Sequence, residues 1–544
     1  PRHTQPSPGM RHVWLLWLAA AVAACLPPLS VPPLAATGLS ASLVLCWVCL
    51  NVSAKQMFLA LMFGILDIFF REFVARNRFK VPPEGTPVIF VCAPHANQFL
   101  DPFVVMCGVG RSDVAFLTAA KSMRRRFVGA FARLLQSIPV ERSSDLAANG
   151  TGTVWLSAED GTTLLGRGTR FRDELHAKDT VHWCGVTAQV GSVDSDERCT
   201  LLDAMPPPSG EWSAFTYRPR VDQSAMFAEV YQALEAGTAV GIFPEGGSHD
   251  RPSLLPLKAG IGIMALGAIT RQRGLPLQLV PVGLNYFSGH RFRSRVFIDI
   301  GEPFAVPEEL GELYARGGEH KHEATARLMQ RVEAALGTVT ISAADYETLE
   351  FFWTLRRLTS NDQRDAGSKL APSMSLERQV AFARRFSRGY DRLLADGTPF
   401  KESARVQHVR GLCREYNKHL KAMGMRDYQV AFVLDELSRP RAAALLVSRA
   451  LLLLIYAVCL VPAALFLPLL VCTRSVAACK AAQAVRGSSV KLEGRDVLST
   501  WKIMVSLVAY PTLYVVYTAA AFSLGRRYLP EPWPFEAGLL FFFL

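Results

Sequence analysis

Between residues 81 and 340 the chain alternates short runs rich in Val, Ile and Phe with segments of helical period. Apolar runs at 87–93, 113–118, 238–243, 277–284 and 295–300 have the length and composition of buried strands. Residues 224–236 put Met226, Phe227, Val230, Tyr231 and Leu234 on one helix face, with Asp222 or Ser224 as cap and Gly237 as stop. The alternation predicts an α/β domain with a mixed, largely parallel sheet flanked by helices. In such sheets, sites form beyond the carboxyl ends of the strands. Residues 146–222 break the pattern. They are polar, rich in Gly and Thr, and predict a small β-rich insertion.

Hydrophobic segments flank this domain. Residues 1–56 hold apolar pieces at 13–26 and 34–50 and predict a membrane anchor, with a secretory signal over 1–36 as the competing reading. Residues 57–80 predict a membrane-associated amphipathic helix whose basic end, Arg71 to Lys80, lies at the surface. The catalytic-type domain then covers 81–343, and a basic helical region covers 344–440. Residues 441–544 contain two stretches of spanning length, 450–472 and 503–524, and the final GLLFFFL starts a third. If both stretches cross once, the loop between them lies opposite the preceding domain. That loop carries Arg474, Lys480, Arg486, Lys491, Arg495 and Lys502, against the bias of positive charge toward the cytosol. Re-entrant hairpins that keep 474–502 cytosolic are the alternative.

Half of the residues are hydrophobic, 19% are charged, and the formal net charge is +12. An anionic membrane face or an anionic substrate fits that charge. No zinc-ligand spacing, ribonucleoprotein-type aromatic motif or basic-aromatic stripe points to nucleic acid. The 11 cysteines are scattered. Cys46 and Cys49 lie inside an apolar run, where they read as small hydrophobes, so neither a metal site nor a disulfide framework is expected.

Two strings at strand ends carry the chemistry. HANQFLD (95–101) follows PVIFVCA, and FPEGGSHDR (243–251) follows TAVGI. His95 at a strand-to-helix junction can take a proton from an alcohol, with Asp101 holding its other ring nitrogen. Gly246 and Gly247 permit positive φ and close backbone approach. Glu245 either orients the turn by accepting backbone N–H groups or binds a substrate hydroxyl. Arg251 offers a fork suited to phosphate, and Lys258 follows one loop later. Lys121 and Arg142 end other short elements, and Arg124–Arg126 reads as a solvated or lipid-facing patch. No Ser or Cys stands with a base partner as a nucleophile. Together these residues suit deprotonation of a hydroxyl on a phosphorylated molecule.

The order His-x5-Asp, IPVER, FPEGGSHDR…LPLKAG and VPVGLNYF resembles the four blocks of the glycerolipid acyltransferase superfamily. PHANQFLDP, GIFPEGGSHDRPSLLPLKAGIGIMALGA, HRFRSRVFIDIGEP and KLEGRDVLSTWK resemble the fungal-type sn-1 glycerol-3-phosphate/dihydroxyacetone-phosphate acyltransferases of the endoplasmic reticulum, over residues 57–524. The resemblance implies an integral endoplasmic-reticulum protein facing the cytosol. It further implies acyl-CoA as co-substrate, no cofactor or metal, and glycerol-3-phosphate or dihydroxyacetone phosphate as acceptor. It gives His95 the base role and Asp101 the polarising role. Arg142, Arg251 and Lys258 would hold the phosphate, Glu245 and Gly246 would position the acceptor, Lys121 and Gly247 would belong to the substrate-binding set, and Pro281 would border the acyl channel. The wider superfamily separates His and Asp by four residues rather than five, so the extra residue here must lie in the turn before the helix. A lysophospholipid acyltransferase, a thioesterase and a non-catalytic lipid-binding scaffold are the rival readings.

Overall fold

The computed structural model describes residues 53–205, 212–362, 375–394, 403–425, 427, 429–430 and 438–528. The expectations for the two apolar pieces or signal before residue 51, for Cys46 and Cys49, and for the terminal GLLFFFL lie outside the described residues.

The first helix, α1 (Ala54–Phe69), opens on a capping box. The Ser53 hydroxyl accepts the Gln56 N–H, and the Gln56 side chain accepts the Ser53 N–H. It buries Leu59, Met62, Leu66 and Phe69 and leaves Met57, Leu61 and Ile68 exposed. It stops there, short of the expected helix through residue 80. Phe70–Arg76 instead form β1, because Phe70 finds full burial on a sheet edge that a continuing helix would carry away from it.

The central sheet adds β2 (Val88–Ala93), β3 (Val114–Ala119) and β4 (Ile138–Val140). After the insertion strands β5 (Ala148–Asn149), β6 (Thr153–Leu156), β7 (Thr163–Arg167), β8 (Thr180–Trp183), β9 (Val186–Ser195), β10 (Arg198–Leu201) and β11 (Phe215–Arg218), the sheet resumes with β12 (Ala239–Ile242), β13 (Gln278–Phe287), β14 (Ser294–Ile300) and β15 (Phe304–Ala305). Its order is β1-β14-β13-β2-β12-β3-β4, with β15 beside β13. From β13 to β4 all pairings are parallel; β14 runs antiparallel to β13 and parallel to β1. The sheet is therefore mixed and largely parallel.

Residues of β2 alternate between the two cores. Val88, Phe90 and Cys92 face α1 and α2 (Leu100–Val109), while Ile89, Val91 and Ala93 face the other layer. On the first side lies also α3 (Arg126–Leu134). The other layer holds α4 (Ser224–Glu235), α5 (Gly260–Arg271), α6 (Glu308–Ala315) and α7 (Gly318–Val339). The predicted apolar face of α4 buries Met226, Val230 and Leu234, and Gly237 ends it at φ +74°. The insertion is a seven-stranded sheet, β5-β11-β8-β9-β10-β7-β6, antiparallel at every pairing, with its own core around Trp183, Leu164 and Phe171.

Three amphipathic helices follow: α8 (Tyr346–Asp362), α9 (Leu376–Leu393) and α10 (Ala404–Met423). Then α11 (Arg439–Cys459), α12 (Leu467–Arg486) and α13 (Arg495–Tyr528) are each part of a helix long and apolar enough to cross a membrane. Among the described residues, three candidate spans thus stand where two were expected. The expected 450–472 stretch breaks at 460–466, where Pro462 starts a short 3₁₀ turn.

Candidate active site

The carboxyl ends of β2, β3, β4 and β12 converge on one cleft of about 630 Å³. His95, two residues past β2, lines it with Gln98, Arg125, Arg142, Gly247 and Ser248. His95 Nδ1 lies 2.8 Å from Asp101 Oδ2. The carboxylate accepts, so Nδ1 carries the proton and Nε2 keeps the lone pair, with no partner among the described residues. The ring stacks on Phe243, 4.2 Å between centroids.

The extra residue between His95 and Asp101 is absorbed in the turn. Gln98 takes φ +42°, and α2 begins only at Leu100. Asp101, fully buried in the first turn of α2, also accepts the Asn97 N–H (2.9 Å) and the Tyr286 hydroxyl (2.5 Å on Oδ1). Burial and then the Asp101 charge hold the Tyr286 phenol well above its ordinary value, so it stays a donor.

Glu245 joins the two strings. Its Oε2 accepts the His95 N–H (2.8 Å); its Oε1 accepts the Leu255 N–H (3.0 Å) and His249 Nε2–H (2.7 Å). His249 Nδ1 in turn accepts the Arg251 N–H (3.1 Å), which fixes that tautomer, and the His249 N–H donates to the His95 carbonyl (3.0 Å). Of the two roles open to Glu245, the structure displays the orienting one. Gly246 sits at φ +74°, and a Cβ there would fall 2.5 Å from the Lys258 side chain, so Lys258 packs over the turn. Gly247 lines the cleft with open space above it.

Lys258 is exposed and does not line the cleft, and three more expected residues also lie off it. Arg251 points away from the His95 cleft: its Nε and Nη2 donate to the carbonyls of Val490 (2.8 Å) and Ser489 (3.1 Å). Lys121 is exposed and 4.0 Å from Asp145, while its neighbours Ser122 and Arg125 reach the cleft. Pro281 is buried inside β13 opposite Val91 and lines neither the cleft nor the apolar slot beside it. The apolar space next to the site is a slot of about 90 Å³ lined by Phe58, Met62, Phe103, Phe131, Leu135 and Ile503. It shares Phe99, Pro102, Phe116 and Thr118 with the cleft.

The carboxyl-terminal hairpin also builds the site. Lys480, Gln483 and Trp501 line the cleft. Asp250 accepts the N–H groups of Leu492, Glu493 and Arg495 at 2.7–3.1 Å. Burial works to raise the Asp250 carboxyl, and these three bonds outweigh it and leave it lowered. Lys491 donates to Ser248 (3.1 Å) and pairs with Asp496; Ser499 and Thr500 donate to Asn97 at 2.6 and 2.9 Å. Nearby, burial and then Arg495 push the His290 imidazole down to about 4. Cys92, two residues before Pro94, is held well above its ordinary value by burial and Asp101, so it is no nucleophile. No metal-type cluster occurs among the described residues.

Sequence reading had passed over Tyr286, His249, Asp250, Lys480 and Trp501. All but Lys480 lie inside strings already singled out, VPVGLNYF, FPEGGSHDR and KLEGRDVLSTWK, where proximity to a motif was the available signal.

Residues 367–544 match the family described as glycerol-3-phosphate acyltransferase 2 C-terminal domain. An uncharacterized acyltransferase of Schizosaccharomyces pombe is 38% identical over 83% of this chain and 66% of its own length. Glycerol-3-phosphate O-acyltransferases 2 and 1 of Saccharomyces cerevisiae are 33% and 31% identical, over 86% and 87% of this chain and 65% and 61% of theirs. The chain is similar to these yeast acyltransferases over more than four fifths of its own length. It spans just under two thirds of the length of the relatives it matches. A solved 1-acyl-sn-glycerophosphate acyltransferase from Thermotoga maritima aligns over 60% of this chain and 98% of its own at 14% identity, with a TM-score of 0.25, too low to bear on the argument.

Proposed function

We propose that this protein is a membrane-bound glycerol-3-phosphate O-acyltransferase that moves a fatty acyl group from acyl-CoA to the sn-1 hydroxyl, giving lysophosphatidic acid. The observation that carries the reading is the His95–Asp101 pair, which leaves His95 Nε2 as the free lone pair on a cleft also lined by Arg125 and Arg142. Nε2 takes the hydroxyl proton while the alcohol oxygen bonds to the thioester carbonyl carbon. Collapse of the tetrahedral adduct breaks the C–S bond, and the imidazolium returns the proton to the departing thiolate. Asp101 stabilises the imidazolium, and such a base is worth about 10²–10⁴ in rate. Arg142, without a side-chain partner among the described residues, faces the acceptor phosphate, with Arg125 and Lys480 at the rim. The acyl tail enters the slot between Phe58, Phe103 and Phe131. Dihydroxyacetone phosphate offers the same hydroxyl-plus-phosphate chemistry and serves as a second acceptor. The residence proposed is the endoplasmic-reticulum membrane with the cleft on the cytosolic side, where both water-soluble substrates are.

The test supplies purified full-length protein with labelled acyl-CoA and, separately, glycerol-3-phosphate, dihydroxyacetone phosphate and lysophosphatidic acid. Acylation of the first two, lost in His95→Ala, is expected. Acylation of lysophosphatidic acid alone would convert the reading to an sn-2 enzyme, and CoA release without any acceptor would convert it to a hydrolase.

A further inference from the structure

Away from the His95 cleft, and sharing no lining residue with it, Arg71, Arg295, Arg356 and Arg357 surround a second cleft of about 220 Å³. Arg295 and Arg356 both lie over the Phe287 ring, 4.9 and 5.4 Å from its centroid. Arg357 pairs with Asp427 (2.8 Å) and donates to Asn417 (2.6 Å). Arg295 reaches Gln379 at 3.4 Å and stands 4.0 Å from Glu72. Arg356 has no such support among the described residues. It is 9% exposed, and its buried Nη1 has no hydrogen-bond partner. Ser294, 8% exposed, opens on the same cleft with its Oγ equally unpartnered.

A buried guanidinium beside two others, whose nearest carboxylate influence, Asp427, is already paired with Arg357, is a costly arrangement for an interior. Two orphan donors on one cleft call for a shared acceptor. Burial and then Arg295 and Arg357 push Arg356 down to about 10, against a smaller opposing pull from Asp427. The missing partner is an anion with several acceptor oxygens, and the fork of arginine matches phosphate.

We propose that the Arg71–Arg295–Arg356 cleft is a phosphate-binding site, and that the phosphate it takes is the headgroup of an anionic lipid. The surroundings favour the lipid source. Arg71 lies two residues past α1, whose end carries the exposed Ile68, and the exposed Phe292 packs on Phe69 at 5.8 Å. Apolar groups beside a cationic cleft suit an acyl–headgroup boundary. The site stands independently of the reaction at His95, because its argument uses no residue of that cleft.

The test measures thermal unfolding of the full-length protein in neutral detergent against short-chain phosphatidate, sodium phosphate and phosphatidylcholine. Phosphatidate is expected to raise the Tm and phosphatidylcholine to leave it unchanged. Arg356→Met is expected to weaken the phosphatidate response at least tenfold while leaving the KM for glycerol-3-phosphate within twofold. Arg295→Gln provides the same readout if the first variant does not fold. A full phosphatidate response in both variants, or none in the native protein, would overturn the site. A response to sodium phosphate that phosphatidate does not reproduce would overturn the lipid assignment.

Discussion

Asp101 accepts three hydrogen bonds with no exposed surface, so each partner bears on how His95 is held. Tyr286 is the informative one, since its hydroxyl touches nothing that reacts. Tyr286→Phe removes a bond to a carboxylate worth about 1.5–3 kcal/mol. It is expected to lower kcat about tenfold or more with little change in the acyl-CoA KM; an unchanged kcat would reduce Tyr286 to packing. The His–Asp pair was legible from its spacing and place in the strand–helix order. Tyr286 was not, because 185 residues separate it from Asp101 and only the sheet register brings β13 beside β2. The fork of Arg251 lies on two carbonyl oxygens, and those carbonyls at 489 and 490 belong to a segment that no local pattern ties to residue 251.

Among the elements, the parallel strands were readable because their short apolar runs alternate with segments of helical period and are too short for helices. β1 was not, since FREFVAR looks like the charged end of the helix before it. The docking of the 487–495 loop on Asp250 was beyond sequence reading as well. That docking has a definite pH dependence. The Asp250 carboxyl is lowered in the folded state, so its contribution is complete above the ordinary carboxylate value of 3.8 and is lost as pH falls through the lowered value. Asp250→Ala is expected to reproduce the acid effect at neutral pH, leaving three N–H groups without acceptors. Hydrogen exchange at Leu492, Glu493 and Arg495 reads it directly: at least tenfold faster exchange is expected, and unchanged protection would mean that other contacts hold the loop. Gly494 belongs to the same device. It takes φ +68°, and a Cβ there would meet the Ala481 carbonyl at 2.9 Å, so Gly494→Ala should loosen the loop too.

For the whole molecule, three crossings among the described residues in place of two would remove the charge puzzle of the carboxyl-terminal segments. With α11, α12 and α13 as three crossings, Arg439 and Arg441 begin on the catalytic side, and the chain returns there at Arg486. The loop then docks on residues 248–251 of the catalytic domain, which two single crossings would forbid. α12 and α13 run antiparallel, Phe466 meeting Tyr510, Tyr514 and Tyr517. Residues 496–503 of α13 are largely spent on the catalytic domain, and the remaining stretch to Tyr528, at about 1.5 Å per residue, still exceeds the ~30 Å of hydrocarbon. Cysteines placed at the exposed positions Arg486 and Ser489 should therefore label in sealed microsomes to the same extent as the exposed Cys184 of the β-rich insertion, all other cysteines being replaced. Labelling of Cys184 with protection of both hairpin positions until detergent is added would place the loop across the bilayer. It would also remove Lys480 and Trp501 from the cleft, because a loop on the far side cannot reach His95.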